Sequence, residues 1–357
     1  MFHPVKVKDI RRETPEAVSV AFEVPKNAQE DFKFKQGQYL TLKAMIAGEE
    51  VRRSYSVCVS PLEDELRVAV KEVPNGKFST FVNRHLAVGD TLEAMTPMGK
   101  FFTETDPVNE NVYVAFAAGS GITPIMSILK TVLLAEPQSR FVLFYANKNS
   151  ETIIFRDQLE DLKNTYMERL SVHHLLSRED RESPLFNGRI NGDKCRTFAR
   201  LFFEPAKVEA FFICGPESMM LDLSESLQDL GVPKKRIHFE LFGTGAASKK
   251  VQKAKDNKAT FDSESESKVR VIVDGTNLDF NLSYAGPTIL DAALTKGGDL
   301  PFACKGGVCC TCKARVLDGT VDMDINYALE PEEVEAGYIL TCQAHPRSAS
   351  VTVDFDV

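Results

Sequence analysis

Short stretches in which apolar and polar side chains alternate occupy the first third of the chain: Val18 to Val24, Tyr39 to Ala44 and Leu66 to Val70, with Gly, Pro and Asn between them. A period of two broken by turn residues predicts the half-buried strands of an antiparallel barrel. The rhythm changes near Pro107. From there Val112 to Ala117 is followed by a helical pattern over Pro124 to Leu134, and Phe141 to Tyr145 by one over Phe155 to Asn164. Ser171 to Leu176 and Phe211 to Cys214 read as further strands, the latter followed by a helix over Met219 to Leu230. Strands alternating with amphipathic helices predict a parallel sheet with crossover helices. From Gly243 to Ser267 the pattern stops, with one Phe among 25 residues rich in Ala, Ser, Lys, Asp and Glu. That composition predicts a solvated linker. Beyond it, Lys268 to Leu282 reads as a hairpin turning at Asp274-Gly275, and Thr288 to Lys296 as a helix. The chain is therefore expected to be multidomain, with an antiparallel β-barrel over 1–107, an α/β domain with a parallel sheet over 108–242, a linker over 243–267 and a small domain over 268–357.

The 357 residues suit two or three domains, each able to bury a core. A net charge of −8 lacks the clustered basic excess of a nucleic-acid binder, so no nucleic-acid partner is expected. The acidity is concentrated at the end of the chain, where 268–357 carries seven Lys/Arg against 13 Asp/Glu. No run approaches the roughly 18 apolar residues of a spanning helix, and the opening residues lack the apolar core of a secretory signal. The expectation is a cytoplasmic protein without a membrane partner.

Four of the eight cysteines crowd into nine residues, Cys304 to Cys312. Such crowding in a reducing compartment points to metal rather than to disulfides. Cys304, Cys309 and Cys312 give C-x4-C-x2-C, followed by Cys342, which is the spacing of a plant-type [2Fe–2S] site. Zinc sites favour paired C-x2-4-C knuckles instead. Gly306 and Gly307 allow the tight loop that places three thiolates around two irons. Tyr338 to Cys342 is expected to be a short strand carrying the fourth ligand. Cys310 is read as a non-ligand.

In the barrel, Gly37-Gln38-Tyr39-Leu40 precedes Arg53-Ser54-Tyr55-Ser56, and Gly76-Lys77-Phe78-Ser79-Thr80 follows the strand that includes Val70 and Lys71. This arrangement resembles the ferredoxin–NADP reductase family with its R-x-Y-S pattern. The resemblance implies that Arg53 meets a flavin pyrophosphate, Tyr55 stacks on the isoalloxazine, and Ser54 and Ser56 bond nearby, Ser56 close to N5. It also makes Val70, Lys71, Gly76, Lys77, Phe78 and Ser79 a second flank of the flavin site, with helix N–H groups facing phosphate. FAD is expected rather than FMN.

The parallel-sheet domain carries Gly119-Ser120-Gly121-Ile122-Thr123-Pro124 after an apolar strand, which resembles the G-x-G-x-T-P turn of the same family rather than the G-x-G-x-x-G fingerprint. Cys214-Gly215-Pro216 resembles its C-G-P signature, and Glu240 with Phe242 its E-x-F end. The resemblance thus implies Gly119, Gly121, Thr123, Pro124, Cys214, Gly215, Pro216 and Phe242 as dinucleotide- or flavin-binding residues. It implies Ser56, Cys214 and Glu240 as catalytic. Ser177-Arg178, with Arg189 as a second cation, resembles NADP-preferring members, so NADPH is expected, with NADH still open.

Taken together, the domain order resembles the reductase components of bacterial multicomponent oxygenases, which implies a β-grasp, α+β ferredoxin domain at the end of the chain. Electrons would pass from NADPH to FAD, to the [2Fe–2S] cluster and out to an oxygenase. The tail with Asn326 to Pro331 and Ala336-Gly337-Tyr338 is similar to the reductase subunits of phenylacetyl-CoA ring epoxidases of phenylacetate degradation, which implies a di-iron oxygenase partner. The di-iron centre is not expected here, because no His has Glu three residues before it. Another hydroxylase or a hybrid-cluster protein stays open as acceptor, as does a redox-responsive binding protein without turnover.

Overall fold

The computed structural model describes residues 2–242 and 265–356, which fall into two compact units divided between Phe242 and Gly243. Most of the expected linker, 243–264, lies outside the described residues. Its last two residues, Glu266 and Ser267, belong instead to the first strand of the second unit.

The first unit opens with β1 (Phe2–Thr14), β2 (Ala17–Glu23), β3 (Tyr39–Ile46), β4 (Glu49–Ser56), β5 (Leu66–Lys71) and β6 (Thr91–Met95), with α1 (Lys77–Arg84) between the last two. These strands form an antiparallel sheet in the order β4-β3-β6-β1-β2-β5. A bridge between Val57 and Val68 brings the two edges together as a barrel. Period-two reading leaves out β4, β6 and the long β1, in which the charged residues Lys6, Lys8, Asp9, Arg11 and Arg12 mask the alternation. Its inward side chains Val5 and Val7 are buried with Val18, Val20, Leu40 and Val68.

The second half of this unit is a parallel sheet of β7 (Val112–Ala118), β8 (Arg140–Asn147), β9 (Leu170–Leu176), β10 (Val208–Gly215) and β11 (Ile237–Leu241), in the order β11-β10-β7-β8-β9. α2 (Ile122–Ala135), α3 (Arg156–Thr165), α4 (Gly192–Leu201) and α5 (Glu217–Asp229) cross over between strands. One core contains β7 and β8 residues with α2 and α3, and the other contains β10 residues with α4 and α5, so both sheet faces are covered. The helix expected from Phe155 starts one residue later, since Phe155 adopts φ +61° and caps it.

The second unit has β12 (Glu266–Val273), β13 (Thr276–Ser283), α6 (Ile289–Thr295), β14 (Lys313–Asp318), β15 (Val321–Met323), α7 (Pro331–Glu335), β16 (Tyr338–Leu340), β17 (Ala344–Pro346) and β18 (Ser350–Asp354). Its main sheet runs β13-β12-β18-β14-β16, with β12 and β18 parallel, and α6 packs its buried Ile289, Leu290 and Ala293 into the core. This is the α+β arrangement expected. No helix among the described residues is long and apolar enough to cross a membrane.

What fixes the site is the seam between α2 and the barrel. The buried Ser127 hydroxyl donates to the Val59 carbonyl at 2.6 Å and accepts the Gly37 N–H at 3.3 Å. Beside it the Thr131 and Ser60 hydroxyls lie 2.8 Å apart, and Lys130 donates to Glu63 at 3.0 Å. Phe101 meets Phe212 edge to face at 5.6 Å. Ser127→Ala strands a buried carbonyl and a buried N–H, and is expected to cost about 1–3 kcal/mol. A urea midpoint equal to that of the parent protein would show that the bond contributes nothing.

Candidate functional site

The parallel strands end on one edge, and the loops that follow them line a cavity of about 780 Å³. Ligands of such sheets bind beyond the carboxyl ends of the strands. From β7 comes the turn Gly119–Gly121, a single 3-10 turn leading into α2. From β10 comes Cys214-Gly215-Pro216. The two are pressed together: a Cβ at Gly121 would stand 2.1 Å from the Cys214 carbonyl oxygen. The Tyr145 hydroxyl, buried in β8, donates to the Gly119 carbonyl at 3.0 Å and braces the turn from below. Its free N–H groups can therefore face an anion.

Of the expected dinucleotide residues, Gly119, Gly121, Ser177, Arg178, Arg189, Gly215, Pro216 and Phe242 line this cavity, together with Lys71. Thr123 and Pro124 do not line it. Both are buried, and the Thr123 hydroxyl donates to the Ser120 carbonyl at 3.1 Å, so their part is to shape the turn. Arg178 and Arg189 are exposed and have no ion-pair partner among the described residues. The structure adds a third such cation, Lys148, at the same mouth. Its signal in the sequence is its place just after the apolar run of β8. Among the described residues the one carboxylate on the lining, Asp222, already accepts the Gly192 N–H at 2.9 Å.

The three residues expected to be catalytic come together. Ser56, the last residue of β4, donates its hydroxyl to Glu240 Oε2 at 3.2 Å. Glu240 on β11 is in parallel register with Cys214 on β10. The residue keeps part of its surface open, but its carboxyl is enclosed, and burial pushes that group up to about 8, with the Ser56 bond pulling the other way. Burial, and then the nearby Glu240, push the Cys214 thiol up as well, so it stays protonated. The trio spans residues 56 to 240, and only the seam makes them neighbours.

The barrel residues divide by exposure. Arg53 is exposed, its guanidinium donating to the Arg52 carbonyl at 2.7 Å, and Ser54 lies 3.1 Å from the Thr41 hydroxyl. Tyr55 packs on Phe78 with ring centroids 5.7 Å apart. Phe78 and Val70 are core side chains, so they can present only main-chain groups to a ligand. Gly76 caps α1, the Ser79 hydroxyl takes the Val73 N–H at 3.2 Å, and Lys77 pairs with Glu49. A Cβ at Gly76 would collide with Ser79 Oγ at 2.4 Å, which explains a glycine at this cap. An exposed arginine fork, a rim tyrosine and a glycine-capped helix fit the pyrophosphate and ring of FAD.

In the second unit, the loop from Cys304 to Cys312 gathers the thiols. Cys309 and Cys304 sulfurs are 3.1 Å apart, and the Gly306 N–H donates to Cys304 Sγ at 3.3 Å. The neighbouring Cys309 and Cys342 thiols hold Cys304 well below the usual thiol range and are themselves pushed up. Gly307 takes φ +71°, and a Cβ there would meet the Ile325 carbonyl at 2.8 Å. The other left-handed residue is Lys305, at φ +49°, whereas Gly306 keeps an ordinary conformation, so the loop uses one of the two expected glycines in this way. Cys342 falls two residues past the end of β16, in the turn, rather than on the strand. Cys310 points elsewhere, its thiol 3.4 Å from the Ala328 carbonyl. Four clustered soft donors, with a backbone N–H aimed at sulfur, fit an iron–sulfur cluster.

Family comparisons agree with this geometry. Residues 4–103 match the oxidoreductase FAD-binding domain, 116–225 the oxidoreductase NAD-binding domain and 271–347 the 2Fe-2S iron-sulfur cluster binding domain. The chain is 44% identical to one of the subunits of the 1,2-phenylacetyl-CoA epoxidase of Escherichia coli strain K12, covering 99% of this chain and 98% of that protein. It is 34% identical to the ferredoxin reductase component of the 3-ketosteroid-9-alpha-monooxygenase of Rhodococcus rhodochrous, over 98% and 95% of the two chains. Among solved structures, phthalate dioxygenase reductase shares the fold with a TM-score of 0.58 at 22% identity, over 99% and 98% of the two chains. The chain belongs to the family of FAD- and [2Fe–2S]-containing reductases that pass electrons from NAD(P)H to oxygenase components.

Proposed function

We propose that this reductase takes electrons from NADPH and supplies the oxygenase component of a 1,2-phenylacetyl-CoA epoxidase, a di-iron protein. The observation that carries the acceptor is the 44% identity to the Escherichia coli epoxidase polypeptide, sustained over 99% of the chain. When bound, FAD accepts an electron pair from the nicotinamide and the cluster releases electrons singly, the form an oxygenase centre uses. The residues of the chain do the holding and the gating. Arg53 and the α1 N-terminus receive the flavin phosphates, and the Gly119–Gly121 turn receives those of the nucleotide. Ser56 and Glu240 form a hydrogen-bonded pair at the meeting of barrel and sheet, where the two rings must meet. Cys304, Cys309, Cys312 and Cys342 hold the cluster. A cytoplasmic setting accords with free thiols throughout the chain.

NADPH is favoured by three cations without an ion-pair partner among the described residues, Lys148, Arg178 and Arg189, around the cavity mouth, with Ser177 beside them. A 2′-phosphate requires such charge, whereas a ribose diol is commonly met by a carboxylate. The Arg178→Ala variant is expected to raise KM for NADPH about tenfold, the loss of a charge-assisted bond, and to leave KM for NADH within about twofold. Equal changes for both nucleotides would remove Arg178 from the 2′-phosphate.

Glu240 sets a pH limit. Its carboxyl is neutral below about pH 8, and ionising it places an enclosed negative charge beside Ser56 and Cys214. Because the folded value stands above the ordinary 4.5, its contribution to stability is complete at low pH and is lost as the pH rises through about 8. Flavin reduction by NADPH, followed by stopped flow, is expected to slow above about pH 8 and to lose that inflection in Glu240→Gln. An unchanged inflection in the variant would assign it to another group.

The acceptor is tested by anaerobic titration with NADPH, following flavin and cluster absorbance, and then by adding the purified epoxidase oxygenase with phenylacetyl-CoA. Reduction of both centres and substrate-dependent reoxidation is the expected result. Reduced centres that the oxygenase does not reoxidise would overturn the partner and leave the reductase.

A further inference from the structure

Arg178 and Arg189 reach one cavity mouth from the two ends of the segment 179–188, whose regular structure is a single 3-10 turn, Pro184–Phe186. Two like charges repel, so an irregular segment brings them together only where it is tied down. Both ends are tied to the sheet. The Arg178 N–H donates to the Lys148 carbonyl and the Gly188 N–H to the Leu176 carbonyl, each at 2.7 Å. Between them the segment is closed by Asn187. Its side-chain oxygen accepts the Arg181 N–H at 2.7 Å and its side-chain amide donates to the Arg181 carbonyl at 3.3 Å, so one side chain holds both main-chain groups of a residue across the loop. Gly188 then takes φ +83°, the left-handed conformation that turns the chain back towards Arg189.

Asn187 is itself held from α4. The Lys194 ammonium donates to the Asn187 carbonyl. Lys194 has no ion-pair partner among the described residues, and partial burial pushes its ammonium down, so this bond offsets a loss of solvent that nothing else there repays. The preceding Phe186 stacks on His173 of β9 with ring centroids 5.7 Å apart. Neither Asn187 nor Lys194 lines the cavity, so both act through the arginines rather than on a nucleotide. We propose that Asn187, seated by Lys194, is the positioning residue of 2′-phosphate recognition: it pins the segment 179–188 so that Arg178 and Arg189 converge on that group, an assignment that rests on the NADPH reading of this cleft. The Gly119–Gly121 turn follows a different strand, β7, and is independent of the clamp. Loss of the clamp is therefore felt by NADPH and not by NADH.

The test uses the flavin-loaded full chain with Asn187→Ala, which leaves the charge unchanged, and Lys194→Met with Lys194→Arg as its conservative counterpart. KM for NADPH is expected to rise about fivefold in Asn187→Ala and Lys194→Met, the cost of ordering one freed arginine on binding, with kcat and KM for NADH within about twofold. Lys194→Arg should stay close to the parent protein. Calorimetric titration should show binding of 2′,5′-ADP weakened by the same factor and that of 5′-ADP unchanged. If Asn187→Ala does not load flavin, Asn187→Ser, which also cannot hold both main-chain groups of Arg181, takes its place with the same expectation. An effect of Lys194→Met without one of the Asn187 variant overturns the clamp, because the lysine would then act through its charge. A rise for both nucleotides overturns it as well, by showing general damage to the cleft. A parent protein that binds 2′,5′-ADP no more tightly than 5′-ADP overturns the NADPH reading and this inference together.

Discussion

A serine on α2 with no contact to solvent, Ser127, gives its proton to the Val59 carbonyl of the barrel and takes the Gly37 N–H in return. Neither main-chain group has a strand partner at that point, so the serine completes hydrogen bonding that the barrel leaves open. The seam fixes the angle between barrel and parallel sheet, because polar groups buried there have one arrangement that satisfies them. The cleft depends on that angle. Ser56 arrives from the barrel, Glu240 from the far edge of the sheet, and their 3.2 Å bond exists only when the two halves are docked this way.

The same rule governs the turn over the cavity. Gly121 can press against the Cys214 carbonyl because it has no Cβ, and this contact ties the nucleotide turn to the strand that carries the thiol. Side chains in the motifs thus divide into two kinds. Arg178, Arg189 and Lys148 have no ion-pair partner among the described residues and stand at the mouth, available to a ligand. Thr123, Pro124, Phe78 and Val70 serve the protein itself, and their place in a motif reflects the turn or strand they build. The second unit repeats the pattern on a smaller scale, with Gly307 admitting the Ile325 carbonyl so that the cysteine loop can close.

Much of this was legible beforehand. Four of the five strands of the parallel half could be read, since buried strands and amphipathic helices differ in period, while the short edge strand β11 and α4 were not, and the cysteine spacing pointed to the metal chemistry because a loop of nine residues leaves little freedom in where its thiols go. The barrel was less legible. β1 carries so many charges that its alternation disappears, and its burial comes from β2 and β6 on either side. The cleft was readable where a motif marks it and unreadable at Lys148, which belongs to no motif and matters because of what lies on the neighbouring strands.

Residue types and their spacing were enough to settle the chemistry of the chain: a soft four-sulfur site, glycine turns able to meet phosphates, and the order of the three modules. These are local properties, set over a few positions at a time. Which groups share a site was left to the folded chain. Whether Glu240 is a surface carboxylate or an enclosed one pushed up to about 8 depends on the walls that exclude water, against which the bond from Ser56, 184 residues away, pulls it down. Desolvation and hydrogen-bond pairing are properties of a neighbourhood, and a neighbourhood exists only once the chain has folded.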